Sequence, residues 1–367
     1  MQKNLDSLDV KILACLDEYG PRNLSLIARR LDIHTETLRK RVERLVSRFF
    51  IEFLMMPYHT NIGLKKSLVF ADAVPGKEEF LPKCMKANDF WIYIGRYYGR
   101  FEGCYGVYAI PVEFQNDFKE FVQELKKSEI IRNVHYFWST CVQTVNPTEN
   151  WFDEESGWWV FNWDNWVKEF SEGDKKLPPT LVEPERFPIN ADDIDVLILA
   201  KLEVDYTRSL TEIARILNMN SKTVEYHYRN HILKRGLIEK TQVFFDRFNK
   251  ETADFYVFTL YFDSEKKTAK FASSLLDKPF AYGLGKIIGE HGIVAHLYLP
   301  KKEFRAFIKT LSQLIREGHL QSYEYVIEDI REKQGQTISY EYFKNGEWVY
   351  DHKRHLETLR KIVNEVK

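Results

Sequence analysis

The sequence predicts an α+β fold made of two tandem copies of one unit, each a winged helix-turn-helix followed by a βαββαβ sandwich and a β-hairpin extension. Residues 9–37 repeat as residues 195–223, with 13 identities in 29 positions, which is the mark of a duplication. Each copy begins with three short segments of helical apolar periodicity. Each continues with strand-like and helix-like segments in the order β-α-β-β-α-β.

The composition indicates a folded chain of several domains and excludes two classes of protein. The 367 residues are 44% hydrophobic, and 53 Lys and Arg face 54 Asp and Glu for a net charge of −1, so neither a disordered chain nor a bulk polycation is expected. No apolar run approaches the roughly 18 residues of a membrane helix. A soluble protein with no membrane partner is therefore expected. Cys15, Cys84, Cys104 and Cys141 lie far apart without metal-ligand spacing, which predicts reduced thiols and a cytoplasmic location.

The repeat divides the chain into seven predicted segments. They are winged helix-turn-helix 1 (1–60), ferredoxin-like domain 1 (61–148), a Trp-rich hairpin extension (149–170), a Pro-rich linker (171–190), winged helix-turn-helix 2 (191–248), ferredoxin-like domain 2 (249–333), and a hairpin with a C-terminal helix (334–367). The linker holds four of the twelve prolines. In polyproline geometry its 20 residues would reach about 60 Å.

Each copy opens with a helix-turn-helix pattern. An apolar stripe over residues 6–18 is repeated in copy two, and Asp6 and Asn190 or Asp192 are suited to cap these first helices. A short helix from Leu24 to Leu31 follows, then a turn, and then a helix from Thr35 to about Arg48. Residues 50–55 and 237–245 are predicted to form the wing strands.

The second part of each copy has the strand and helix order of a ferredoxin-like domain. In copy one we predict strands at 66–74, 91–98, 103–110 and 131–142, with helices at 77–87 and 113–127. The same order follows from 254 to 330. One antiparallel sheet with two helices on one face leaves the other face open and apolar, so that face needs a partner.

The outward face of the third helix is basic in both copies. Residues 35–48 and 221–235 each carry a net charge of +3. Because the third helix of this motif lies in the major groove, the charge predicts binding to double-stranded DNA. The candidate DNA-contacting residues are Thr35, Thr37, Arg39, Lys40, Arg41, Arg44, Arg48, Ser221, Lys222, Tyr226, His227 and Arg229. The two helices differ in sequence, so a palindromic operator is not expected.

The chain resembles the Lrp/AsnC (feast/famine) transcription regulators of bacteria and archaea. The motifs that carry the resemblance are LDSLDVKILACL, LSLIARRLDIHTETLRKRVERL and LTEIARILNMNSKTVEYHYRNHILKRGLIEK. The resemblance implies a sequence-specific, archaeal-type regulator without catalytic residues, cofactor or metal. It also implies an intramolecular pseudo-dimer that is a candidate for further dimerisation. In the family an amino-acid effector binds near a turn that contains a glycine and, three residues later, an acid. Gly99 with Glu102 roughly retains this pattern. Gly289 is followed by Gly292 in place of an acid, so the second effector site is expected to be degraded.

Two features keep alternatives open. The stretch 149–174 carries five of the eight tryptophans and a net charge of −7, which fits either a docking surface for a protein partner or rings packed across the two copies. His227 and His231 have the i, i+4 spacing of a metal pair, but at the offset of 186 His231 falls on the core residue Leu45, which favours partial burial.

An enzyme alternative comes from the same architecture. Siroheme decarboxylases resemble this family in fold, and they use the pocket between sandwich domains for a tetrapyrrole. Arg96, Arg100, His135, His291 and His296 are the residues that would grip or protonate its carboxylates.

Overall fold

The first half of the chain forms a helix-turn-helix and a four-stranded sandwich. A computed structural model describes residues 5–140, 142–145, 148–171 and 175–365, so Cys141 lies outside the described residues. The elements are α1 (Ser7–Tyr19), α2 (Leu24–Arg30), α3 (Thr35–Phe49), β1 (Glu52–Pro57), β2 (Leu64–Ala73), α4 (Leu81–Met85), β3 (Trp91–Tyr98), β4 (Glu102–Pro111), α5 (Gln115–Lys127), β5 (Ile131–Ser139), β6 (Gln143–Thr144), β7 (Phe152–Asp153), β8 (Trp158–Trp159) and α6 (Trp163–Ser171).

The second half repeats this order. Its elements are α7 (Asp193–Val204), α8 (Leu210–Ile216), α9 (Ser221–Tyr226), a π-helical segment (His227–Leu233), β9 (Ile238–Phe244), β10 (Ala253–Tyr261), α10 (Glu265–Leu275), β11 (Ala281–Ile287), β12 (Gly292–Pro300), α11 (Lys301–Arg316), β13 (Ser322–Gly335), β14 (Phe343–Lys344), β15 (Glu347–Trp348) and α12 (His352–Glu365). The tandem α+β fold predicted from the sequence is confirmed.

The two sandwich sheets join edge to edge into a closed barrel. The first sheet has the strand order β3-β4-β2-β5 and the second β11-β12-β10-β13. β13 pairs with β3 through Ile327 opposite Tyr98, and β5 meets β11 through Ser139 opposite Ile287, so eight strands close a ring. The open faces predicted to need a partner therefore enclose a common interior.

The packing of the halves is exchanged, because the helix-turn-helix of each copy lies against the sandwich of the other. One buried cluster joins Leu13 and Leu38 of the first helix-turn-helix to Phe258 and Phe307 of the second sandwich. A second cluster makes the reciprocal junction between the second helix-turn-helix and the first sandwich. Each of these two hydrophobic cores therefore contains residues from both halves of the chain.

The C-terminal extensions are exchanged in the same way. Trp166 of α6 stacks on Phe307 of α11, with ring centroids 5.9 Å apart. Trp348 of β15 packs edge-on against Phe90, and its indole N–H donates to the Ile62 carbonyl at 2.6 Å. The tryptophans thus pack across the two copies, as one of the two sequence interpretations proposed.

Several local predictions need correction. The wing strands do not form separate wings, because β1 pairs antiparallel with β9 in a two-stranded ribbon. The predicted helix at 77–87 is a 3₁₀ turn (Glu78–Phe80) followed by the short α4, and the hairpin region continues into α6.

The described part of the linker is not an extended tether. Leu181 is fully buried and Ile189 bridges to Ile62, so the linker packs on the body of the molecule. Among the residues that the structure describes, no helix has both the length and the apolarity needed to cross a membrane.

Candidate functional site

A cavity of about 660 Å³ lies inside the barrel, and the β1–β9 ribbon covers one side of it. Alternate residues of each strand face inward, among them Lys66 on β2, Tyr105 on β4 and His296 on β12. Side chains normally fill the interior of an eight-stranded barrel. Here β11 contributes Gly283 and Gly285 to the wall, and the Ser139 hydroxyl packs where a side chain on Gly285 would lie.

Two phenols and one carboxylate form a hydrogen-bonded group on the cavity wall. The Tyr93 hydroxyl donates to Oε1 of Glu328, and the Tyr105 hydroxyl donates to Oε2 at 2.8 Å. Burial raises the pKa of the Glu328 carboxyl, and burial together with the Glu328 charge raises the pKa of both phenols. The phenols are therefore neutral donors that hold the carboxylate in place.

The inner wall carries the buried ammonium group of Lys66 and the imidazole of His296, and the buried imidazole of His59 also senses the Lys66 charge. Lys66 is only 7% exposed, and its charge adds to burial in lowering the pKa of His296 to about 4 and that of His59 to about 3. Both imidazoles are consequently neutral at pH 7. Lys66 also opposes the rise that burial causes in the pKa of the Glu239 carboxyl.

The mouth of the cavity lies where β13 leaves its regular register. Glu328 pairs with Tyr97 and Lys333 pairs with Gly95, so β13 has three residues more than β3 in this interval. Bulges of this kind are common beside active sites. Lys333 lines the cavity here and is exposed to solvent. Glu203 lines the same cavity, and burial raises the pKa of its carboxyl to about 7.

The arrangement is suited to an apolar molecule that carries carboxylates. Most of the wall is hydrocarbon and aromatic surface, and the polar groups are few and converge on one space, as in small-molecule sites. Lys66 at the inner wall and Lys333 at the mouth offer cations to two carboxylates. His296 offers a ring nitrogen.

The predicted DNA-contacting residues of α3 do not all face outward. Thr37, Arg39 and Lys40 are exposed, and Thr35 and Arg48 are half-buried. Arg41 and Arg44 instead turn toward α1, where they contact Asp9 at 2.8 and 2.6 Å. Counting charges along the helix therefore overstates its free positive charge.

The corresponding residues of copy two lie on an interrupted helix. Ser221, Lys222, Tyr226 and Arg229 are exposed, and Arg229 pairs with Glu225 at 2.9 Å. His227 is buried, with Nδ1 2.8 Å from the Asp195 carboxylate. The regular helix ends at Tyr226 and a π-helical segment follows.

The predicted effector residues lie outside the barrel cavity. Glu102 pairs with Arg96 near the turn that contains Gly99. The backbone N–H of Gly289 donates to both carboxylate oxygens of Glu183 from the linker, at 3.1 Å each, and Lys286 pairs with the same carboxylate. The backbone N–H of Gly289 is thus already hydrogen-bonded to a carboxylate of the chain itself.

Of the residues named for the enzyme alternative, only His296 lines the cavity. Arg96 is bound by three carboxylates, those of Glu79, Glu102 and Glu332. The other three, Arg100, His135 and His291, are exposed.

Sequence reasoning missed Lys66, Tyr93, Tyr105, Glu328 and Lys333. Lys66 and Leu68 are two residues apart on one strand, and so are Tyr105 and Val107, so each pair lies on one face of its strand. This spacing could have been read from the sequence. The convergence of these faces depends on strand pairing between the copies, which a single sequence does not reveal.

Comparison with known proteins gives a full-length match only among solved structures. No protein-family model and no curated protein matches the chain. The crystal structure of the siroheme decarboxylase NirDL matches with a TM-score of 0.55 and 12% identity, over 98% of this chain and 99% of that one. Its complex with an iron-uroporphyrin III analogue matches with a TM-score of 0.55 and 11% identity, over 99% and 100%.

Transcription regulators match only one part of the chain. An AsnC family regulator from Agrobacterium tumefaciens has a TM-score of 0.29 and 16% identity, over 36% of this chain and 89% of its own. At 11–12% identity the full-length matches concern the fold alone.

The expected function needs correction. The sequence predicts a DNA-binding transcription regulator and no enzyme, but the structures that match the chain from end to end are those of an enzyme. The DNA-binding interpretation, with its implied absence of catalysis, is therefore wrong. The alternative drawn from the same architecture fits the full-length match better.

Proposed function

We propose that this protein is a decarboxylase of tetrapyrrole carboxylates, of the siroheme decarboxylase type, and that the barrel cavity is its active site. One observation carries the proposal: the cavity between the fused halves has apolar walls, a buried Lys66 and a neutral His296 beside it. The end-to-end likeness to NirDL supports it. The proposed small-molecule partner is thus a tetrapyrrole, in place of the amino-acid effector expected from the sequence.

Lys66 and Lys333 would hold the carboxylates of the substrate. A tetrapyrrole is a broad apolar ring with anionic side chains, which matches apolar walls carrying cations at the inner end and at the mouth. Tyr93, Tyr105 and Glu328 are held by their mutual hydrogen bonds and would fix the position of the ring edge. His296 would face a side chain bound at Lys66.

The chemistry requires one proton for each carboxylate lost. The bond between a side-chain methylene and its carboxylate breaks, the electron pair stays on that carbon, CO₂ leaves, and a proton converts the methylene to a methyl group. No oxidant is consumed. His296 is the group that we assign to deliver the proton.

The charge of the substrate would prepare His296 for this role. In the free protein, burial and the Lys66 ammonium keep the imidazole neutral. A carboxylate bound at Lys66 offsets the ammonium charge and adds a negative charge, so it raises the pKa of His296. Substrate binding would therefore bring the proton to the imidazole.

Absorption titration of the purified protein with an iron tetrapyrrole that carries acetate side chains tests the binding step. We expect saturable binding at one site, and much weaker binding of the methyl ester of the same tetrapyrrole, because the ester offers no charge to Lys66 and Lys333. Equal binding of acid and ester would contradict the proposed mode of recognition.

A further inference from the structure

A cluster of two carboxylates and two imidazoles lies in the second helix-turn-helix, apart from the barrel cavity. Its residues are Asp192, Asp195, His227 and His231, and one ligand atom from each lies within 4.8 Å of the others. Nδ1 of His227 is 2.8 Å from Asp195 and 3.6 Å from Asp192, and Nδ1 of His231 is 3.2 and 3.3 Å from the same carboxylates. Asp195 is fully buried.

The carboxylates are fixed by the start of α7. Asp192 is its N-cap, and each of the two aspartates accepts the backbone N–H of the other at 2.9 and 3.1 Å. These bonds leave carboxylate oxygens directed at the imidazoles, so the acidic half of the cluster is held in place independently of any ligand.

The first copy provides an internal comparison. There Asp6 and Asp9 form the same capping box, and the two residues that face them are Arg41 and Arg44. Guanidinium groups are charged at any physiological pH, so the first copy supplies its own cations.

Imidazoles take these positions in the second copy: His227 replaces Arg41 at the plain offset of 186, and one inserted residue brings His231 to the place of Arg44. Buried Val224 corresponds to Leu38 at an offset of 186, whereas buried Ile232 corresponds to Leu45 at an offset of 187. The π-helical segment absorbs the extra residue, so His231 takes the place of Arg44, and not of Leu45 as the plain offset suggests. Short π-helical insertions are frequent at functional sites.

Among the residues that the structure describes, one guanidinium lies near the second pair of carboxylates. Arg235, which occupies the place of Arg48, reaches Asp195 at 3.4 Å. One arginine thus faces two aspartates, which leaves one negative charge that a divalent cation would more than offset, and the two imidazoles offer nitrogen ligands. Imidazole nitrogen and carboxylate oxygen are the donors that zinc and its neighbours in the first transition row accept.

We propose that His227, His231, Asp192 and Asp195 bind one divalent transition-metal ion of the zinc class. In a tetrahedral site with bonds near 2.1 Å, neighbouring ligand atoms are about 3.4 Å apart. With Asp195 Oδ1 and Asp192 Oδ2 as the oxygen ligands, the separations known are 2.8 Å from His227 to Asp195, 3.2 Å from His231 to Asp195 and 3.3 Å from His231 to Asp192, so a bound ion would need only small shifts of these side chains. The ion would tie α7 to the π-helical segment, and it takes no part in the proposed decarboxylation.

Titration of the full-length, chelator-treated protein with Zn²⁺ or Co²⁺ alone tests this site. We expect one ion per chain by calorimetry, a raised melting temperature with Zn²⁺, and with Co²⁺ the visible absorption of a tetrahedral complex. The matched variant is H227R/H231R, which gives the second copy the arginines of the first and so should fold without metal. It should lose the stoichiometric binding and the Co²⁺ absorption.

A second variant separates loss of metal binding from a folding defect. D192N keeps an N-cap side chain, so the helix should persist while the affinity for the metal falls. If the wild type binds no stoichiometric ion, or if H227R/H231R binds as the wild type does, the proposal is overturned. The imidazoles would then serve only as partners of the aspartates.

Discussion

The buried ammonium of Lys66 sets the electrostatics of the barrel interior. It is 7% exposed, and it lowers the pKa of two neighbouring imidazoles, those of His59 and His296. A cation in such surroundings attracts a carboxylate much more strongly than a surface lysine does, because the low local dielectric screens the charge less. The adjacent Lys65 lies on the opposite face of β2, over Trp138.

Replacement of Lys66 by methionine should therefore weaken binding of a carboxylate-bearing tetrapyrrole. The loss of one charge-assisted hydrogen bond corresponds to roughly a 10- to 100-fold rise in Kd. Absorption titration measures this rise in Kd, with Lys65→Met as the control variant of identical composition. Equal effects of the two variants would place the carboxylate elsewhere.

We assign His296 the role of proton donor, so removal of its imidazole should affect turnover more than binding. The variant His296→Ala is expected to lower kcat by about 10²- to 10⁴-fold, as is usual for a lost general acid, with a Kd close to that of the wild type. In the wild type, kcat should fall as pH rises above the pKa of His296 in the complex. Exposed His135 provides the control: His135→Ala should leave both constants unchanged.

Glu203 links stability to pH. Burial raises its carboxyl pKa to about 7 in the folded chain, well above its value in the unfolded chain. The folded state thus holds this proton more tightly, and stability is lost as pH rises from about 4.5 through 7. Glu203→Gln removes this loss and should raise the free energy of unfolding at pH 8.5 by on the order of 1 kcal/mol.

Urea unfolding at pH 5 and pH 8.5 measures the effect. The gain should be absent or reversed at pH 5, where Glu203 is protonated in the folded protein. The exposed Glu251 offers the control variant Glu251→Gln. A Glu203→Gln effect that does not vary with pH would mean that the carboxyl titrates as usual.

At the scale of elements, the sequence predicted the helices and strands well where local periodicity decides. The predicted strand at 91–98 coincides with β3, and the helix predicted from Thr35 corresponds to α3 (Thr35–Phe49). It located the wing strands, which form as β1 and β9, but it missed their pairing with each other across the copies, because that pairing has no local signal. It also failed to detect the inserted residue, which shifts His231 to the position of Arg44.

The candidate site was harder to predict than its strands. Only His296 of the residues proposed for an enzyme faces the cavity, since the others pair with carboxylates or lie at the surface. The seven-segment division, the cytoplasmic location, the archaeal origin and further dimerisation stay predictions.

The Trp-rich extension acts as an element that joins the copies. Trp166 is fully buried against Phe271 and Phe307, and its indole N–H donates to Ser274 Oγ at 3.1 Å. Trp166→Ala should therefore lower the free energy of unfolding by about 3–5 kcal/mol. Val160→Ala in the same extension, where Val160 is 49% exposed, should change it little. Denaturant unfolding compares the two, and similar small losses would show that the extension does not carry this packing.

At the scale of the whole molecule, duplication creates a site that neither copy contains. Lys66 and Tyr105 come from the first sheet, and His296 and Glu328 from the second. The exchange of helix-turn-helix units and extensions between the sandwiches ties the halves together, so the cavity wall forms only in the complete chain. The two halves are free to diverge, and the second helix-turn-helix differs from the first at the aspartate–histidine cluster.

The most direct test of the central claim is turnover. The purified protein is incubated anaerobically with siroheme, and the tetrapyrrole is analysed by mass spectrometry, with Lys66→Met and His296→Ala in parallel. We expect products lighter by the mass of one or more CO₂ with the wild type, and strongly reduced conversion with both variants. If siroheme is recovered unchanged from a wild-type protein that binds it, the barrel cavity is not a siroheme decarboxylase site.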